Sequence, residues 1–375
     1  MDVALREVLV VAGETSGDLH AATVVEALRR LAPALPVAGV GGARMRAAGA
    51  NMLEDMTAHA VMGYAGVVRQ IPAHLRLLRR LRARMEGGTV GLIILVDYPG
   101  FNLRVASAAK AAGVPVLWYI TPKVWAWRAG RIDEMRRTIS RAAVILPFEQ
   151  DYLRARGIAA TYVGNPLLDG ASEIPSRERA RAKLGLAAGE PVLALFPGSR
   201  TGELAHHLEA FTATAVELQR RIPGLRVIVG VAPGMRIDPA RAPFQLVEGD
   251  SYTVWRAADA ALVKSGTSTL EAAIAGTPLI VAYRVGRLNY EIARRLLRGI
   301  KYIGLVNLVV DRSVAPEFIQ NEMQPLAMAN ALEPLLTHGS NARNTMLSAL
   351  ASVRTALGEA GAGERVARLA LETFA

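Results

Sequence analysis

The feature that most restricts this chain is a rhythm of short apolar runs and longer helical stretches that plays through once and then begins again. In the first half, Glu7 to Ala12, Pro36 to Val40, Gly91 to Val96, Val114 to Tyr119 and Ala142 to Leu146 read as strands buried on both faces. Segments rich in Ala, Leu and Arg lie between them and suit helices. Such alternation predicts a largely parallel sheet. Val192 to Phe196, Leu225 to Val231, Phe244 to Val247, Ala260 to Val263 and Leu279 to Ala282 repeat the pattern. At 375 residues the chain exceeds one ordinary core, and the charged segment from Asp169 to Glu190 reads as the linker. The expected fold is therefore α/β: two Rossmann-like domains, 1–168 and 169–340, facing across a cleft. A last helical stretch, about 341–375, is expected to return to the first domain. Ligands of such sheets sit at the carboxyl ends of the strands.

Composition narrows the classes further. Apolar residues are 51% and charged residues 21%, a globular balance. The absence of cysteine excludes disulfides and thiolate metal sites. The run Val8 to Val11 is too short for a secretory core and is flanked by Asp2, Arg6 and Glu7. Later runs such as Val90 to Val96 are strand-sized, well short of the ~20 residues that span a bilayer. The expectation is a cytoplasmic chain that does not cross a membrane. Its net charge of +11 attracts nucleic acid, anionic lipid or phosphorylated substrates. With aromatics at 5% and no RNA- or DNA-binding motif, nucleic acid is not the expected partner.

Two strand-loop-helix motifs in the second half carry the strongest chemistry. Leu195 to Glu203 (LFPGSRTGE) places Gly198 and Ser199 where a helix opens, offering N–H groups and a positive dipole end to an anion. Arg200 follows with its fork of donors. Lys264 to Glu271 (KSGTSTLE) repeats the design with Ser265, Gly266, Thr267 and Ser268. Glu271 falls one turn into that helix, at a spacing that serves either two ribose hydroxyls or a capping box with Ser268. Two such loops in one half point to a nucleoside diphosphate. No Asp-x-Asp occurs and the six histidines are scattered, so neither metal nor cofactor is expected. His206 and His207, adjacent on a helix, read as surface or interface residues.

In the first half, Ala12 to Asp18 (AGETSGD) follows the first strand. Glu14, Ser16, Gly17 and Asp18 there suit either close approach to a sugar or an ordinary turn. Val96 to Asn102 (VDYPGFN) places Asp97 at a strand's carboxyl end, a position for a general base or for a turn aspartate. Trp118, Trp125 and Trp127 cluster within ten positions; tryptophan faces bind sugar rings, sit at membrane interfaces, or fill a core.

Taken together, AGETSGD, VDYPGFNLR, VWAWR, PFE at Pro147 to Glu149, FPGSR, SGTSTLE and PEFIQ at Pro316 to Gln320 resemble the lipid-A-disaccharide synthase family, in family order over roughly residues 10 to 320. Asn165 stands where family members commonly have histidine, Val306 where they have proline, and Lys123 precedes VWAWR in place of a small or amide residue. The resemblance implies a GT-B glycosyltransferase. It would transfer 2,3-diacylglucosamine from its UDP derivative to the 6-hydroxyl of 2,3-diacylglucosamine 1-phosphate, with inversion, releasing UDP. It assigns Asp97 as the base, with Glu14 and Asp18 as alternatives that otherwise bind sugar. It adds Asn307 to the nucleotide residues and Asn102, Trp125, Trp127 and Arg128 to the acceptor residues.

Acylated substrates give the charge a purpose. Ile71 to Met85 reads as a helix with Ile71, Leu75, Leu78, Leu81 and Met85 on one side and Arg76, Arg79, Arg80 and Arg84 opposite. That is the pattern of a helix on an anionic membrane, here the inner membrane, and equally of a domain helix with a solvated arginine face. Two other readings stay open. One is another GT-B enzyme using UDP-N-acetylglucosamine, either a lipid-acceptor transferase or an epimerase; the other is a non-catalytic basic protein that binds nucleic acid. The sequence leaves room for a homodimer.

Overall fold

Strand order explains where the loops gather. The computed structural model describes residues 6–56, 64–126, 130–286, 290–291 and 301–374, with 64–70 described by backbone alone. The chain divides into two units: Met1–Asp169 with Glu359–Ala375, and Gly170–Gly358.

The first unit runs β1 (Glu7–Ala12), α1 (Thr15–Leu31), β2 (Val37–Gly41), α2 (Ala43–Ala47), β3 (Asn51–Asp55), α3 (Tyr64–Glu86), β4 (Val90–Val96), α4 (Pro99–Ala111), β5 (Val116–Tyr119), α5 (Arg131–Thr138), β6 (Arg141–Val144), α6 (Pro147–Arg154) and β7 (Ala160–Tyr162). The second runs α7 (Arg177–Lys183), β8 (Val192–Phe196), α8 (Thr201–Arg221), β9 (Arg226–Val231), β10 (Gln245–Glu248), α9 (Ser251–Ala257), β11 (Ala260–Lys264), α10 (Ser268–Ala275), β12 (Leu279–Tyr283), α11 (Leu305–Leu308), β13 (Glu317–Ile319), α12 (Pro325–Leu336) and α13 (Asn341–Ala356). Helix α14 (Ala362–Phe374) completes the first unit.

Both sheets are parallel among the described residues, ordered β3-β2-β1-β4-β5-β6-β7 and β10-β9-β8-β11-β12-β13. The central strands β1, β4 and β8 are buried along their whole length, as helices on both faces require. In the first unit, Leu77, Leu81, Phe101 and Val105 cover one face, and Val24, Leu28, Val366 and Ala370 cover the other. The chain reverses direction across each sheet between β1 and β4 and between β8 and β11, so a crevice opens beyond those strand ends. Register pairs Ala12 with Val96 and Phe196 with Val263, which brings the four singled-out loops together two by two.

Three edge strands escape the sequence reading: β3, β7 and β13. Each is mostly half-exposed, so it lacks the unbroken apolar run by which the central strands are recognised. Two boundaries also differ from expectation. The charged segment read as linker contains α7, whose Arg177 and Arg181 reach the wholly buried Asp259 at 2.7 and 3.8 Å; two of its charges serve a buried carboxylate rather than solvent. Helix α13, read as returning to the first domain, belongs to the second unit, burying Met346, Leu350 and Val353. Only α14 returns. Asp169 accepts hydrogen bonds from the Gly361 and Ala362 N–H groups (2.6 and 3.3 Å) and starts it, and Arg365 donates to the Val163 carbonyl at 2.7 Å.

Candidate functional site

In the second unit, the two helix-opening loops border a cavity of about 380 Å³. Gly198, at φ +129°, has no room for a side chain, since a Cβ would lie 2.6 Å from the Glu203 Cβ. Ser199 is exposed on the rim, and its N–H is taken by the Glu203 carboxylate at 2.9 Å. The other oxygen of Glu203 accepts from Lys264 at 2.8 Å. Burial pushes the Glu203 carboxyl up, but Lys264 and the Ser199 N–H outweigh it and hold the group below its ordinary value. The chain's own glutamate thus sits on part of the expected anion cradle and ties one loop to the other. Arg200 is exposed at the N-cap of α8.

Thr267, Ser268 and Glu271 line the same cavity. Glu271 makes no capping box: Thr267, not Ser268, is the N-cap, and no side chain caps there. Its Oε2 instead accepts from the indole N–H of Trp255 at 3.1 Å. Burial raises the Glu271 carboxyl, and the indole hydrogen bond pulls it back part of the way. Ser265 turns away from a ligand role, its hydroxyl donating to the Ile303 carbonyl at 2.7 Å and its N–H to Ala282. Asn307 corrects the resemblance more sharply. It is fully buried, its Nδ2 donates to the Ala315 carbonyl and to Glu317, and its Oδ1 accepts from the Val314 and Ala315 N–H groups, all at 2.8–2.9 Å. No hydrogen-bonding capacity is left for a nucleotide. Glu317, from the PEFIQ motif, also receives the Ile303 and Gly304 N–H groups, so that motif braces the loop behind the cavity.

His207 is likewise not a surface residue. It is 1% exposed, with Nδ1 donating to the Glu203 carbonyl and Nε2 accepting the Arg284 N–H. Burial lowers its pKa to about 4. Sequence reasoning also missed Trp255 and Phe196, whose rings stack at 3.6 Å and 10° beneath the cavity. The signal available was Trp255 itself, the one tryptophan remote from the other three.

In the first unit, Asp97 ends β4 in a turn that L-residues rarely adopt: φ is +46° at Asp97 and +47° at Tyr98. Each such residue costs about 1–3 kcal/mol and persists only where its surroundings over-determine it, and here they do. The Asp97 N–H donates to the Tyr119 carbonyl at 3.0 Å. The Asn102 amide donates to the Asp97 carbonyl at 2.7 Å and to Val96 at 3.3 Å. The Tyr98 ring lies where a Cβ on Gly13 would come within 2.1 Å, and its hydroxyl meets His74 Nε2 at 2.9 Å. Burial, and then the charge of Glu14, push the Tyr98 hydroxyl up. Glu14, at the N-cap of α1, and Ser16, in its first turn, are exposed, with Gly17 against Ala12 and Val96.

Several acceptor-side assignments change. Asp18 is buried, and its carboxylate accepts the N–H groups of Gly42 (2.7 Å), Arg44 (3.0 Å) and Met45 (3.2 Å), capping α2. Asn102 is fully buried and acts on the Asp97 backbone rather than on a sugar. Trp125 is half-buried, donating to the buried Glu149 at 2.9 Å, which explains the glutamate of the PFE motif. Asn165 is buried, donating to the Ile145 carbonyl and accepting the Leu167 N–H, a capping role. Trp127 and Arg128 lie outside the described residues.

The arginine helix divides along its length. Leu77, Leu81 and Met85 enter the core, whereas Ile71 and Leu75 are each 47% exposed. Arg84 chelates the Glu7 carboxylate, and Arg80 pairs with Glu54 at 2.7 Å. Arg76 and Arg79 are exposed, near Ile71 and Leu75 in the chain. Of the single face read from sequence, Ile71, Leu75, Arg76 and Arg79 stay exposed, while Leu81 and Met85 enter the core and Arg80 and Arg84 pair with carboxylates. Among the described residues no helix is long and apolar enough to cross a membrane.

Two parallel α/β units, each with its loops gathered at a strand-order reversal, define the GT-B class. The fold is similar to that of the UDP-GlcNAc 2-epimerase from Neisseria meningitidis bound to UDP-GlcNAc, with TM-score 0.67 at 13% identity over 98% of this chain and 100% of that one. It is also similar to the calicheamicin glycosyltransferase CalG4, with TM-score 0.59 at 15% identity over 98% of each. Residues 8–365 match the family described as lipid-A-disaccharide synthetase. Relatives named lipid-A-disaccharide synthase are 42% identical in Myxococcus xanthus (strain DK1622), over 97% of both chains, and 38% identical in Geobacter metallireducens, over 98% of this chain and 97% of that one. The chain belongs to the lipid-A-disaccharide synthetase family and is a glycosyltransferase of lipid A biosynthesis.

Proposed function

We propose that this chain joins 2,3-diacylglucosamine from UDP-2,3-diacylglucosamine to the 6-hydroxyl of 2,3-diacylglucosamine 1-phosphate. Asp97 takes the hydroxyl proton as the oxygen attacks the anomeric carbon, the bond to the diphosphate breaks, and UDP leaves with its electron pair. One displacement inverts an α-linked donor to a β-1,6 product. The observation that carries the reading is the cavity between the two loops of the second unit, lined by a glutamate suited to ribose hydroxyls. Arg200 and the two helix ends supply positive charge for the departing diphosphate. In the first unit, Asp97 and Glu14 share a strand-order reversal, which supports acid–base work there. The test is incubation with both acylated substrates: disaccharide phosphate and UDP should appear in equal amounts. UDP released without the acceptor, or no product at all, would count against the assignment.

Acylated substrates reside in membranes, and we place contact with the inner membrane's anionic cytoplasmic surface on the 71–79 stretch of α3. Ile71 and Leu75 offer apolar area, and Arg76 and Arg79 offer charge worth about 1 kcal/mol each near such a surface.

A further inference from the structure

Trp255 lies under the second unit's cavity with its indole plane and its N–H both committed. It is fully buried, stacked face to face on Phe196, the last residue of β8. Phe196 in turn fills the space beside Gly230, where a Cβ would come 2.3 Å from the ring. The carbonyl of Trp255 accepts from the Thr277 hydroxyl at 2.7 Å, which fixes the end of α9. The ring therefore has little freedom to turn, and its single polar group, a donor only, is aimed at Glu271 Oε2.

We infer that Trp255 is a positioning residue for nucleotide recognition: its N–H holds one oxygen of Glu271 so that the other meets the vicinal hydroxyls of a ribose. This rests on the reading of the cavity as a nucleoside-diphosphate site. A carboxylate on a short helix has rotamers that point elsewhere, and recognition of a diol needs one of them populated in advance. A hydrogen bond to a charged acceptor selects it at little cost in entropy, because the indole is already locked by stacking. The same bond favours the ionised acceptor over the protonated acid in a site whose burial works the other way. Phe196 links this arrangement to the Gly198 loop, so ribose and diphosphate recognition share one rigid base.

The test compares UDP with 2′,3′-dideoxyuridine diphosphate by calorimetry on the full chain. Wild type should prefer UDP. Trp255→Phe keeps the stack and deletes the donor; it should weaken UDP about tenfold and the dideoxy analogue less than about twofold. In a Glu271→Ala background the same change should add nothing further. If Trp255→Phe folds poorly, replacing Trp255 by its benzothienyl isostere, which keeps the shape and lacks the N–H, gives the same comparison. Equal weakening of both nucleotides, or no weakening of either, overturns the inference and leaves Trp255 a packing residue. A wild-type protein that binds both nucleotides equally overturns the inference and leaves a nucleotide site that does not read the diol; one that binds neither sinks the nucleotide reading itself and the inference with it.

Discussion

The Asn102 amide donates to the carbonyl of Asp97 at 2.7 Å and so clamps the turn that presents the Asp97 carboxylate. The residue matching a substrate-contact motif thus acts on the backbone of the turn. Asp97→Asn tests the front position. It should lower kcat by ~10²–10⁴-fold, the usual cost of losing a general base, with UDP affinity unchanged by calorimetry. Near-normal turnover would make Asp97 structural and pass the role to Glu14.

Gly13 tests the support of that turn. Gly13→Ala places a methyl 2.1 Å from the Tyr98 ring, so the ring must leave its seat. Turnover should fall by roughly 10–100-fold, as expected when a reacting group shifts by about an ångström. UDP affinity should hold, since the nucleotide loops belong to the other unit. Unchanged kinetics would show that the Tyr98 seat does not govern Asp97.

Arg200→Ala and Glu271→Ala should each raise the KM for the UDP-sugar by roughly 10–100-fold, the range for a lost charged hydrogen bond, and leave that for the acceptor near its original value. Equal losses for both substrates would move the nucleotide elsewhere.

His207 gives a pH signature of stability. The unfolded chain protonates this imidazole near 6.5, whereas burial holds the folded one to about 4. Between those values the unfolded state carries more protons, so stability falls as pH falls, by on the order of 3 kcal/mol. Thermal unfolding of wild type should lose ground from about pH 6.5 downward, and His207→Gln should flatten that slope. Parallel slopes would assign the acid sensitivity to other groups.

On α3 the exposed residues and the ion-paired ones should part company. Ile71→Gln with Arg76→Glu and Arg79→Glu should release the protein from anionic vesicles without changing its melting temperature. Arg84→Ala should keep vesicle binding and cost roughly 1–3 kcal/mol of stability, because Glu7 is left nearly buried without its partner. Retained binding by the triple variant would point to a different surface.

The central strands were legible because β1, β4 and β8 are buried on both faces, so their apolar runs are unbroken. The roles within the motifs were not. Asp18, Asn102 and Asn307 all fall in stretches that resemble a substrate site, and each spends its side chain on backbone groups of its own fold. A polar residue's partner lies across space, and spacing along the chain does not reveal it. The buried state of His207 was hidden for the same reason, since its Arg284 partner is 77 residues away.

The return of α14 has a consequence for biogenesis. Val366, Ala367 and Ala370, all fully buried, finish a core that begins with Val8 and Val10. During synthesis from the N-terminus, the whole of the second unit leaves the ribosome before the segment that seals the first. The first unit must therefore wait with part of one face of its sheet uncovered while the second unit, Gly170–Gly358, already has all of its residues. A chain truncated after Gly358 and released should bind UDP and yet present that apolar patch to chaperones.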